Sequence, residues 1–127
     1  MKLTRIREIL AGEWLGHPPT ADQECRFGGA ADLMSDVLAF VTSTECVLLT
    51  GLTNEQAVRT AEMVDIPVVV FVRGKVPPAT VIALAAEKGI VLLRTRCTMY
   101  EACGRLYAAG LAPFEIRRER EAAPGTS

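Results

Sequence analysis

The sequence predicts a single three-layer α/β domain whose mainly parallel sheet is built from consecutive βαβ units. Three observations carry that prediction. Pro67, Val68, Val69, Val70, Phe71 and Val72 are apolar without a break. A run with no polar face suits a strand covered by helices on both sides, as in parallel sheets. Two similar runs, CVLLT from Cys46 and IVLLR from Ile90, begin roughly twenty residues to either side. Each of the three runs is followed by a segment with helix-start and helix-stop letters.

Leu3, Ile6, Ile9 and Leu10 recur at helical spacing around Arg5, Arg7 and Glu8, which predicts a short amphipathic helix ending near Gly12. Trp14 and Leu15 read as a short extended piece, with the Trp as a packing residue, before His17, Pro18 and Pro19 force a turn. Cys25, Arg26 and Phe27 read as a strand that leads into Gly28 and Gly29. That glycine pair serves either a tight turn, the simpler reading, or the close approach of another backbone. Asp32 suits the N-cap of a helix over residues 33–41. Leu33, Val37, Leu38 and Val41 would share its buried face, with Met34 and Phe40 extending that face or meeting a partner.

The strand at 46–50 leads through Gly51 and Leu52 to a helix from Asn54 to about Val64, and Thr53 and Gln56 have the spacing of its capping box. The strand at 67–73 runs into a turn over 74–78 and a helix over 79–88. Pro77 and Pro78 fit its first turn and Gly89 its end. The strand at 90–94 leads through 95–97 to a helix from Met99 to about Ala109. Thr98 and Glu101 form a second capping box, and Gly110 is the stop. The three units share architecture rather than letters, so they read as right-handed crossovers and not as a repeat. The domain is expected to span 1–112. Residues 113–127 are expected to form a charged tail in which Phe114 and Ile116 dock and the end is disordered.

Composition narrows the function classes. The 14 Lys and Arg nearly balance the 15 Asp and Glu. A net charge of −1 lacks the basic excess of a general nucleic-acid binder. Cysteines at 25, 46, 97 and 103 form no CxxC, and the one histidine is His17, so neither a metal nor a cofactor is expected. Charges interrupt the N-terminus where a signal peptide needs an apolar core, and no apolar run reaches the roughly 20 residues that span a bilayer. The expectation is a cytoplasmic protein with reduced thiols and no membrane partner.

Parallel strands collect their C-terminal ends on one edge, beside helix N-termini. Here that edge gathers Thr50 and Gly51, then Arg73, Gly74 and Lys75, then Thr95, Arg96, Cys97 and Thr98. Three cations, several hydroxyls and positive helix ends favour an anion such as a phosphate, that of a nucleotide included, or a carboxylate. The plainer reading is that the threonines cap helices and the cations are solvated, since no Walker or GxGxxG motif is present. For catalysis, Cys97 precedes a helix N-terminus between Arg96 and Thr98, a setting that activates thiols. Its sequence context offers no base or orienting partner, so a Cys97 enzyme is kept only as an alternative and no catalytic residue is expected.

The segments GAADLMSDVLAF (29–40), VLLTGLTNEQAVRTAEM (47–63), VVFVRGK (69–75) and TMYEACGRLYAAGL (98–111) together resemble a stand-alone DRTGG domain. The resemblance runs to about Leu111. It departs at the name-giving letters: Leu52-Thr53 stands where Asp-Arg would follow the first glycine, and Arg73-Gly74-Lys75 where Thr-Gly-Gly would stand, so that Gly51 and Gly74 are the positions that match. It implies an α/β fold similar to the N-terminal domain of HPr kinase. It also implies an accessory role in regulation and subunit contact, like that of related domains beside CBS domains in pyrophosphatases and in phosphotransacetylases. A protein partner from an iron hydrogenase system is a further implication.

The expected function is a non-enzymatic regulatory or interaction module that works as a homodimer, with an anion as its candidate ligand. A nucleotide or phosphometabolite sensor is the alternative. The dimer follows from apolar surplus: Leu33, Met34, Val37, Leu38, Phe40 and Val41 on one helix, and Met99, Tyr100, Leu106 and Tyr107 around another, exceed one narrow stripe each.

Overall fold

The computed structural model describes residues 1–40 and 44–114. The strongest β signals lie side by side in the middle of one sheet. Strand β3 (Cys46–Thr50) pairs in parallel with β4 (Val68–Phe71), and β4 in parallel with β5 (Val91–Arg94). Strand β2 (Phe27–Ala30) runs parallel to β3 on its other side. The edges are β1 (Glu13–Leu15), antiparallel to β5, and β6 (Ala112–Pro113), parallel to β2. The order is β1-β5-β4-β3-β2-β6.

Helices α2 (Met34–Phe40), α3 (Glu55–Met63) and α4 (Ala79–Lys88) link the parallel strands in turn. Because β2, β3, β4 and β5 step across the sheet in one direction, right-handed crossovers put all three helices on one face. Helix α5 (Met99–Ala108) carries the chain back from β5 to β6, so it lies on the opposite face with α1 (Leu3–Leu10). Alternation along the strands divides the core accordingly. Leu48, Val69, Phe71 and Leu92 meet α2, α3 and α4, whereas Val47, Leu49, Val70 and Leu93 meet α1 and α5. Every residue of β3 and β4 is buried, which is why those runs carry no polar face.

Helices α4 and α5 begin where their proline and threonine signals place them, and Gly89 ends α4 in the left-handed conformation at φ 72°. The N-cap of α3 is Asn54 rather than Thr53: its side chain accepts from the Gln56 N–H. The inward face of α2 also differs from the expected one. Met34 and Val37 are buried, while Leu33 (61% exposed) and Leu38 (43%) face outward. The carboxylate of Asp32, expected at the N-cap, is drawn to the loop after β3. Val41 lies outside the described residues.

Gly28 and Gly29 form no turn. Both lie inside β2 at ordinary negative φ, so what they supply is space. A Cβ on Gly28 would stand 2.7 Å from Leu111 Cδ2, and one on Gly29 would collide with the Phe114 ring. The segment expected to begin a tail therefore enters the fold. Residues 112–113 pair with β2, the Phe114 N–H donates to Gly28 O at 3.0 Å, and the Phe114 ring packs on the α2–α4 side. The remainder of the expected tail, Ile116 included, lies outside the described residues.

Candidate functional site

The topology singles out one point on the sheet. After β4 the chain turns to α4 on one face, and after neighbouring β5 it turns to α5 on the other. Ligands of open α/β sheets bind at such a switch, outside the strands' C-terminal ends. The loops that diverge here carry Arg73, Gly74 and Lys75 on one side and Thr95, Arg96, Cys97 and Thr98 on the other.

The two loops are tied together by backbone. Arg73 N–H donates to Cys97 O at 2.8 Å, Gly74 N–H to Thr95 O at 2.7 Å, and Arg94 Nη1 to Gly74 O at 3.3 Å. Arg73 and Gly74 both adopt left-handed backbone, at φ 62° and 68°. For arginine that conformation costs on the order of 1–3 kcal/mol, and the cross-loop bonds hold it there. Because those N–H groups are already engaged, an anion at this place would meet side chains and not a cradle of amides.

Arg73, Lys75 and Arg96 are exposed, and none has a carboxylate within ion-pair distance among the described residues. Lys75 Nζ donates to Gly51 O at 2.9 Å, bringing the β4 loop against the β3 loop. Arg73 Nη2 lies 2.6 Å from where a Cβ on Gly51 would stand, and Asp32 Oδ1 lies 3.4 Å from the same point. Gly51 thus leaves room for a guanidinium over its backbone. On the other side, Arg96 Cγ lies 3.8 Å from where a Cβ on Gly74 would stand.

The remaining expected residues are placed differently. Thr50 is buried: its hydroxyl donates to Asp32 Oδ1 at 3.2 Å and accepts from the Leu52 N–H at 3.1 Å. Thr95 points inward, donating to Leu10 O at 2.7 Å and accepting from the Cys97 N–H at 3.2 Å. Thr98 accepts the Glu101 N–H at 3.1 Å as the cap of α5. Arg73, Gly74, Lys75 and Arg96 therefore lie on neighbouring outward loops, with Arg73 and Lys75 reaching over a buried Gly51, while Thr50 and Thr95 face inward.

Two participants escape a reading of the sequence. Asp32 follows β2 on the same edge and accepts the Gly51 N–H at 2.6 Å. It is hard to find because β2 extends through two glycines. Arg94 ends an apolar run and is held by Glu13 at 2.6 Å. Asp32→Ala strands the Gly51 donor and should cost roughly 1–2 kcal/mol, whereas Asp32→Asn keeps an acceptor and should cost less. Urea unfolding of both variants checks this, and equal losses would remove the acceptor role.

Cys97 is 7% exposed, with its Sγ 3.9 Å from Leu10 O and no histidine or carboxylate among its described partners. His17 follows β1, which runs antiparallel to β5, and so lies at the other end of the sheet. Burial pushes the Cys25 thiol up to about 11 and also raises that of Cys103. Among the described residues no cluster of three His, Cys, Asp or Glu is placed to hold a metal, and no helix is long and apolar enough to cross a membrane. Two clefts among the described residues lie away from Arg73, Lys75 and Arg96. One, of about 470 Å³, is bounded by the loop after β1 and by α4, and a smaller one, of about 100 Å³, lies between α5 and the β2–β6 edge.

Among solved structures the chain is similar to the CBS and DRTGG domains of the regulatory region of Clostridium perfringens pyrophosphatase, complexed with the activator diadenosine tetraphosphate. The TM-score is 0.60 at 14% identity, and the match covers 82% of this chain and 45% of that one. The chain thus spans less than half the length of that structure, and the likeness is one of fold. No protein-family model matches the chain, and no curated protein does.

Proposed function

We propose that this chain is a regulatory module that senses an anionic ligand of the nucleotide or phosphorylated-metabolite kind, works as a homodimer and performs no chemistry of its own. The observation that carries the reading is the gathering of Arg73, Lys75 and Arg96, without carboxylate partners among the described residues, around the divergence of the β4 and β5 loops. Charge-assisted hydrogen bonds from such groups are the strong ones, and two guanidinium groups can each grip a phosphate in bidentate fashion. The similar pyrophosphatase region is regulatory and was solved with a nucleotide activator, which agrees in kind. The inward-facing Cys97, with no general base beside it among the described residues, speaks against a thiol enzyme.

A thermal-shift screen of nucleotides and phosphorylated metabolites tests the reading. Ligand at about 100 times its dissociation constant should add about 2.7 kcal/mol of stability. The double variant Arg73→Ala with Lys75→Ala should abolish that shift. If no anion stabilises the wild type, or if the double variant responds equally, the site is wrong. Turnover of the ligand would restore an enzyme.

A further inference from the structure

We infer that the cleft between the loop after β1 and helix α4 binds a neutral, planar heteroaromatic molecule of about purine size. It lies at the end of the sheet away from the cationic surface, since β1 reaches only to Leu15 opposite Leu92 and the chain then turns past the start of β5. Its volume of about 470 Å³ falls within the range of small-molecule sites, roughly 300–1,000 Å³.

The sequence explains why the space exists and stays open. Ala85, Ala86 and Gly89 line the α4 side, where larger side chains would fill it. Pro18 and Pro19 form part of the opposite wall, and their locked φ limits its collapse. Leu15, Ile82, Ile90 and Leu92 add apolar surface for the faces of a ring.

Charge and hydrogen bonding set the ligand class. Among the described residues no Lys, Arg, Asp or Glu lines the cleft, so a phosphate or ammonium group inside it would be desolvated without a partner. The polar lining comes from His17, Thr20 and Gln23. Gln23 Nε2 is buried and has no hydrogen-bond partner among the described residues. An unsatisfied buried donor is unusual in a folded protein and calls for an acceptor. A ring nitrogen or carbonyl oxygen of a ligand in the cleft is the kind of acceptor that this N–H lacks. A heteroaromatic ring offers both the flat apolar faces and the acceptor, which a hydrocarbon or an indole lacks.

Titration of the ¹⁵N-labelled protein with adenosine and uridine, followed by amide shifts, is the test. Either nucleoside at millimolar concentration should move amides of residues 15–23 and 82–92 and leave those of 73–75 and 96 in place. Ala86→Trp, on the exposed side of α4, should abolish the response while the spectrum stays dispersed. Gln23→Leu should weaken it by about tenfold and bring adenosine down to the level of indole, a ring with a donor only. Adenosine monophosphate should gain nothing at these amides over adenosine. The inference is overturned if neither nucleoside shifts the 15–23 and 82–92 amides, if Ala86→Trp leaves the shifts intact, or if indole binds wild type as tightly as adenosine. Because the anion site reports through 73–75 and 96, failure of one site is distinguishable from failure of the other.

Discussion

Gly29→Val is expected to destabilise the protein by about 3 kcal/mol, the upper end of ordinary overpacking. Gly29 sits in β2 with the Phe114 ring across it, and even a Cβ would collide with that ring. The neighbours have little freedom to yield. Phe114 is tied by its N–H to Gly28 O at 3.0 Å, and β2 is held in register with β3 on its other side. A β-branched residue would normally favour a strand, so the sign of the effect separates space from propensity. Phe114→Ala alone should cost roughly 2 kcal/mol, less than the roughly 3–5 of a fully buried phenylalanine, because the ring is half-buried. The combined variant should cost less than the two losses added, since removing the ring removes the collision. Urea midpoints at constant m-value give all three numbers. A neutral Gly29→Val, or strict additivity, would mean that the segment after α5 does not lie on β2 in solution.

That pair of residues also marks where the sequence becomes hard to read. Runs buried on both faces, such as β3 and β4, are legible because their pattern depends on composition alone. Gly28 and Gly29 owe their identity to Leu111 and Phe114, more than eighty residues away, and local letters point equally to a turn. The face of α2 is ambiguous for a related reason. Leu33 with Val37 and Met34 with Val37 are both helical spacings, and what decides is where the helix starts. It starts after Leu33 while the Asp32 carboxylate is engaged at Gly51. At the candidate site the cations were legible as loop letters between apolar strands and capped helices. The inward turn of Thr95 was not, because its partner, Leu10 O, belongs to the far end of the chain.

Tyr107→Glu is expected to dissociate the proposed homodimer, and Leu38→Glu to leave it intact. Two outward faces carry apolar surplus. At α2 they are Leu33, just before the helix, and Leu38 within it; on α5 they are Tyr100, 90% exposed, and Tyr107, 71% exposed. Met34, at 2% exposure, belongs to the core, so a charge there would report on folding and not on contact. Three observations favour α5. Its sheet face is covered by two helices where the other has three, and a cleft runs beside it, lined by Gly28, Gly29, Cys103, Leu106 and Tyr107. Between the tyrosines, an added Cβ on Gly104 meets nothing within 4 Å, which leaves room for a second helix to approach. Tyrosine at the centre of an interface is a common anchor, and burying a carboxylate in its place should weaken association by about 2 kcal/mol or more, roughly thirtyfold. A two-fold axis near the middle of α5 would bring Tyr100 of one copy beside Tyr107 of the other, so Tyr100→Glu should act in the same direction. Sedimentation at micromolar concentration reads all three variants against the 13.7 kDa monomer. A wild type that sediments as a monomer throughout removes the dimer. Dissociation by Leu38→Glu but not by Tyr107→Glu moves the contact to α2.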